Sequence, residues 1–365
     1  MASTLSTAQS LPVTSDLQSL KQRLIAQART LGFQAVGVAG IDLGEDAEHL
    51  ERWLAEGMHG TMEYMSRHGA RRSRPELLVP GTLRVISARF DYWPGDAADA
   101  WAVLADPRRA YVSRYALGRD YHKVLRQRLQ SLCDWLRDEV GAFGHRVFTD
   151  SAPVLEKALA RNAGLGWIGK HSNLIETRGG SWFFLGEIYT DLALPVDAPA
   201  SDHCGTCTRC LDACPTGAIV APYSVDARLC ISYLTIESDE PIPEPLRTKL
   251  GNRVYGCDDC QLVCPWNKFA RVTAEPDFQV RHGLDAASLV ALFEWDEPTF
   301  LARTEGSAIR RIGWRRWQRN LAVALGNAAS STEVLAALES RREHPDAMVR
   351  EHVLWAIDQH AQQAG

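Results

Sequence analysis

The spacing Cys204-x2-Cys207-x2-Cys210-x3-Cys214-Pro215 constrains this chain more than any other feature, because it is the spacing that wraps a cubane of iron and sulfur. A second, interrupted copy follows as Cys230 and then Cys257-x2-Cys260-x3-Cys264-Pro265. Of the nine cysteines, only Cys133 lies outside these runs. Eight thiolates are what two [4Fe–4S] clusters require, and in two-cluster modules the last cysteine of each run ligates the other run's cluster. Cys204, Cys207, Cys210 and Cys264 are therefore assigned to one cluster, and Cys214, Cys230, Cys257 and Cys260 to the second. Zinc is the competing reading of CxxC pairs. Zinc normally takes two separated pairs, often with histidine, so at most one of the two sites reads that way. A disulfide framework does not suit a long chain with no secretory signal. Cys133, inside the helical pattern Leu132-Cys133-Asp134-Trp135-Leu136, reads as an inert core thiol.

At 365 residues the chain has room for two or three domains. A net charge of −5 excludes indiscriminate coating of nucleic acid but permits a local basic surface. No apolar run reaches the length of a membrane span, and the Ser/Thr-rich start has neither a basic nor an apolar signal region. A disordered leader over residues 1–16 is expected, in a cytoplasmic, monomeric protein with no membrane partner.

Hydrophobic periodicity predicts helices over 17–31 and 123–140 and strands over 34–39, 82–88, 145–150, 172–175 and 182–189. That alternation predicts an α+β protein whose mixed α/β domain spans 17–195. A Pro/Ala/Asp-rich linker leads into a loop-rich, two-cluster ferredoxin-like module over 196–285. Helical patterns at 286–293, 314–327, 332–341 and 347–362 complete a HEAT-like domain over 286–365.

Two further stretches invite chemistry. Asp150 closes a predicted strand and opens a passage with three glycines, Gly164, Gly166 and Gly169, which implies tight turns near a ligand. Its competing role is an N-cap for a segment starting near Ala152. The glycines match no phosphate-loop or dinucleotide pattern. The tail carries Arg303, Arg310, Arg311, Arg315, Arg316 and Arg319 with Trp314 and Trp317 between them. Arginine and tryptophan in that mixture suit phosphates and splayed bases, against the alternative of a solvated helix face with tryptophans packed inward.

Taken together, the motifs Thr149-Asp150-Ser151-Ala152-Pro153, Gly164-Leu165-Gly166-Trp167-Ile168-Gly169-Lys170, Gly180-Ser181-Trp182-Phe183-Phe184-Leu185-Gly186-Glu187 and Cys264-Pro265-Trp266-Asn267 resemble the epoxyqueuosine reductase family, as do Ser113 to His122 and Cys230 to Glu237. The likeness runs from about Leu17 to the C-terminus. It implies an iron–sulfur and cobalamin enzyme that removes the epoxide oxygen of epoxyqueuosine at the wobble position of a tRNA anticodon. It implies Asp150 as proton donor to the departing oxygen, in keeping with a carboxyl whose pKa burial raises. Cobalamin contacts are expected from Ser113, Asp150, Lys170, His171, Leu174 and Ser232, and tRNA contacts from Arg310, Arg311, Arg315, Arg316 and Arg319. The electron donor is not identified by the sequence. The alternatives are a corrinoid reductive dehalogenase, expected to carry an export signal and to lack the arginine-rich tail, and a ferredoxin-type electron carrier, which has no use for Asp150 in its glycine-rich setting.

Overall fold

The computed structural model describes residues 14–364, so most of the expected leader lies outside the described residues; helix α1 (Thr14–Thr30) opens the described chain. Four strands form one antiparallel sheet in the order β1-β2-β4-β3, with β1 at Ala35–Ala39, β2 at Arg84–Asp91, β3 at His145–Phe148 and β4 at Phe183–Thr190. The two central strands, β2 and β4, are buried almost throughout, as strands covered on both faces must be. On one face lie α1 and the amphipathic helix α2 (Tyr121–Val140), whose Leu125, Leu129, Leu132, Cys133 and Leu136 are buried against Ile86, Ala88 and Ile188. Cys133 is thus a core thiol, and burial pushes it up to about 12.

Helix α3 (Glu156–Asn162) covers the other face through Ala158 and Leu159, against Val85, Leu185 and Tyr189. Contact there is close: a Cβ on Gly37 would stand 2.0 Å from the Ala163 carbonyl oxygen. Side chains alternate across a strand, so Ser87 and its register partner Glu187 project onto the α3 face with Val85, Leu185 and Tyr189. That places a carboxylic acid inside an otherwise apolar layer.

The cysteine runs fold into short pieces, with Cys210 and Cys260 on the single-turn helices Arg209–Asp212 and Asp259–Leu262. Beyond them come the short helices Leu289–Phe293 and Glu297–Arg303 and three longer ones: α4 (Gly313–Gly326), α5 (Thr332–Glu339) and α6 (Ala347–Ala364). From Trp317 to Gly326 every residue of α4 is buried, which marks a central helix. Its Trp317 and Leu321 share one apolar core with Val353 of α6, Leu234 and Tyr255 of the cysteine region, and Val112 and Leu117. No helix among the described residues is long and apolar enough to cross a membrane.

Candidate active site

Cys204, Cys207, Cys210 and Cys264 line one cavity of about 320 Å³, walled also by His203 and Trp266. Cys214, Cys230, Cys257 and Cys260 line a second, of about 540 Å³. The thiols surround hollows instead of closing on a point. Among the described residues no group of His, Cys, Asp or Glu is spaced for a single metal ion, whereas a cubane keeps its thiolates well apart. Burial, and after it the charge of neighbouring acids or thiols, pushes Cys257 and Cys260 up. Iron would draw the protons from them.

The second cavity continues into a larger one of about 980 Å³, sharing Asp150, Glu156, Lys157, Ser172, Val225, Glu237 and Arg311 with it. Both are at the scale of cofactor pockets, roughly 300–1,000 Å³. Apolar Leu174, Phe184, Ile231 and Ile236 form much of the wall on the cysteine side, with Ser113, Asn173 and Ser232 as polar points. His171 lines both this cavity and that of the first cysteine run, and its buried Nε2 has no partner. A large planar cofactor with an amide fringe fits such a lining. Within the wall, Tyr233–Glu237 is a π-helical turn, a form that often marks functional sites.

Asp150 stands where the two cavities meet, with φ +48°, a left-handed conformation that aspartate tolerates better than most residues. Its carboxylate accepts a short hydrogen bond from the Tyr121 hydroxyl and lies 3.3 Å from His122 Nε2. His122 Nδ1 meets Asp120 at 2.6 Å, and Asp120 caps α2 by accepting from the His122 amide. Asp150 does not cap a helix: Leu155 precedes α3, and the backbone oxygen of Asp150 takes the Ala152 amide. Its side chain is 46% accessible, because it faces the hollow while protein encloses it on every other side.

The expected rise in the Asp150 pKa is corrected here. Burial does act upward, but hydrogen bonds from His122 and Tyr121 outweigh it and hold the carboxyl below its ordinary value. The resting group is a carboxylate. His122, opposed by burial but held by Asp120 and Asp150, is pushed up to about 9 and keeps its proton. Behind them Glu156 is raised to about 8, by burial first and then by the Asp150 charge.

Other expected contacts divide. Ser113, His171, Leu174 and Ser232 line the 540 Å³ cavity, although the Ser113 hydroxyl is already donated to buried Asp258 at 2.6 Å. Lys170 does not line it: its ammonium donates to the carbonyls of Gly205 and Cys207, tying down the first cysteine loop. Arg311, Arg315 and Arg316 line a groove of about 570 Å³ that joins the large cavity through Tyr64, Glu237 and Arg311. Arg310 is exposed and donates to the Leu301 carbonyl. Arg319 is corrected outright: it is fully buried, and its guanidinium donates to the carbonyls of Leu234, Ser238 and Glu240, so no RNA reaches it. Trp317 is likewise core, and Trp314 donates its Nε1–H to the Trp295 carbonyl.

Sequence reasoning gave no role to Asp120, Tyr121 or His122, although a cap followed by two titratable residues at a helix start was a readable signal. Glu187 was another: a lone acid in the apolar run Trp182 to Tyr189.

The family described as Epoxyqueuosine reductase QueG, DUF1730 matches residues 72–151, and the 4Fe-4S double cluster binding domain matches residues 203–267. Epoxyqueuosine reductase of Xanthomonas campestris is 65% identical, covering 93% of this chain and 95% of that protein. The Pseudomonas aeruginosa enzyme of the same name is 60% identical over 95% of this chain and 96% of its own length. Among solved structures, epoxyqueuosine reductase with an epoxyqueuosine-modified tRNA-Tyr stem loop superposes with a TM-score of 0.87 at 29% identity, covering 95% of this chain and 92% of that one. With two cysteine quartets, an adjoining Asp150 cavity and these relatives, the chain belongs to the epoxyqueuosine reductase family.

Proposed function

We propose that the chain reduces epoxyqueuosine to queuosine in the anticodon loop of tRNA, with cobalamin bound in the joined cavities and two [4Fe–4S] clusters feeding it electrons. The overall change is epoxide plus two electrons plus two protons to alkene plus water. The observation that carries the reading is the junction itself: Asp150 shares one cavity with Cys214, Cys230, Cys257 and Cys260. A low-valent cobalt would supply the reducing electron pair. His122 passes its proton through the 3.3 Å contact to the Asp150 carboxylate, whose orientation Tyr121 fixes. Asp150 then gives that proton to the oxygen as it leaves, since an unprotonated alkoxide is a poor leaving group. Residues 17–195 would hold cobalamin, 196–285 the clusters, and the HEAT-like segment 286–365 the RNA.

Anaerobic reconstitution with iron, sulfide and cobalamin, then addition of reductant and the modified stem loop, tests this by nucleoside mass spectrometry. Queuosine formed only with both cofactors is expected. Cobalamin retained without conversion would move the reading toward dehalogenation, and clusters without cobalamin toward an electron carrier.

The arginines separate by burial. Arg315→Ala is expected to weaken stem-loop binding and lower its salt slope by about one, read by fluorescence anisotropy across a salt series. Arg319→Ala instead is expected to cost about 3 kcal/mol or more of stability, because three buried carbonyls lose their donor. Chemical denaturation measures that loss.

A further inference from the structure

Two protons are consumed per turnover under the function proposed above, and Asp150 with His122 accounts for the prompt delivery of one. We propose that Glu187 and Glu156 are the site's second proton store, a neutral carboxyl pair behind Asp150 that refills it after its first proton has gone. The inference rests on that function, but its first test does not.

Glu187 is fully buried, and neither carboxylate oxygen has a hydrogen-bond partner. Ser87, its register partner on the same sheet face, has a buried hydroxyl that is also unpartnered. Two unsatisfied polar groups side by side in an apolar layer carry a lasting cost. An internal water or a carboxyl proton would satisfy both. Glu156, at the start of α3, lines both cavities and connects that layer to Asp150.

Charge decides the protonation of the trio. Facing it are His122 from α2 and its capping residue Asp120, Lys157 from α3, Tyr64 and Arg72 from the short turns before β2, and Arg311 with Glu237 at the rim. Arg311 is paired with Glu237, and Lys157 donates to Asn173. His122 is committed to Asp120 and Asp150. Too little positive charge remains for three carboxylates, and the one hydrogen-bonded to Tyr121 and His122 is the one that ionises. Burial keeps Glu187 well above the ordinary carboxyl range, with the charges of Glu156 and Asp150 acting the same way. In operation, Glu156 passes its proton to the Asp150 carboxylate, Glu187 passes its own to Glu156, and solvent reprotonates the pair. No electrons move in these steps; the clusters and their external one-electron donor supply them.

Infrared difference spectra, holoenzyme minus variant at near-neutral pH, should show protonated-carboxyl bands. Glu187→Gln should remove one band and Glu156→Gln another. With the epoxyqueuosine stem loop, each variant should turn over roughly 10- to 100-fold more slowly, with a larger solvent isotope effect and unchanged cluster and cobalamin spectra. Glutamine keeps the shape of both side chains, and either variant alone suffices if the other fails to fold. Bands that persist in both variants, or turnover and isotope effect at wild-type values, would overturn the proton store. Bands that vanish in an enzyme whose wild type makes no queuosine would leave the store standing and overturn the function.

Discussion

Asp150→Asn is expected to lower queuosine formation about 10²- to 10⁴-fold while both clusters, bound cobalamin and stem-loop affinity stay at wild-type levels. Asparagine is the informative replacement because residue 150 sits at φ +48°, where asparagine is at ease and alanine is strained. The variant keeps the loop and removes only the proton carrier. It also removes one of the two carboxylates that hold the His122 proton, so His122 should titrate lower than its present value of about 9. The sign for stability follows from that shift. A histidine raised from 6.5 to about 9 contributes stability that is complete below 6.5 and lost as pH rises through 9. In Asp150→Asn the contribution should be smaller and the loss complete at lower pH, which thermal denaturation between pH 6 and 10 (about the span of the shift) would report. Wild-type turnover in this variant would remove Asp150 from the chemistry.

How far the sequence led depends on the reach of each signal. The sheet strands and the long helices were legible because their apolar periods are local: 182–189 was read as a strand and β4 runs Phe183–Thr190, while 123–140 was read as a helix and α2 runs Tyr121–Val140. The cysteine quartets were legible because ligand spacing is itself local. The proton network was not, because its members come from α2, the loop after β3, α3 and β4, and only folding brings them together. Arg319 failed for the same reason. Along the sequence it resembles its neighbours Arg315 and Arg316, yet one turn further along α4 its guanidinium is enclosed and donates to three carbonyls. Direction alone was wrong for Asp150: burial was foreseeable, but the Tyr121 and His122 hydrogen bonds that reverse its effect were not.

Cys264→Ala is expected to erase one cluster, halving bound iron from about eight to about four atoms per chain, and the identity of the survivor tests how the two runs cross. Cys264 lines the cavity of the first run, with Cys204, Cys207 and Cys210, although it follows Cys257 and Cys260 by sequence. If the runs cross, the surviving cluster is the one beside Asp150, and cobalamin stays bound with its spectrum unchanged. Only its rate of reduction by an external donor falls, because the outer electron relay is gone. Cys260→Ala makes the complementary case. It removes a wall of the 540 Å³ cavity along with the cluster, so both cobalamin retention and turnover should be lost while the first cluster's paramagnetic signal persists. Uncrossed runs predict the reverse for Cys264→Ala: the cluster near Asp150 disappears, and with it cobalamin reduction altogether. Iron analysis with electron paramagnetic resonance of the two variants therefore distinguishes the arrangements, because each leaves a different cluster next to the cavity where the carboxylate and the reducing centre must meet.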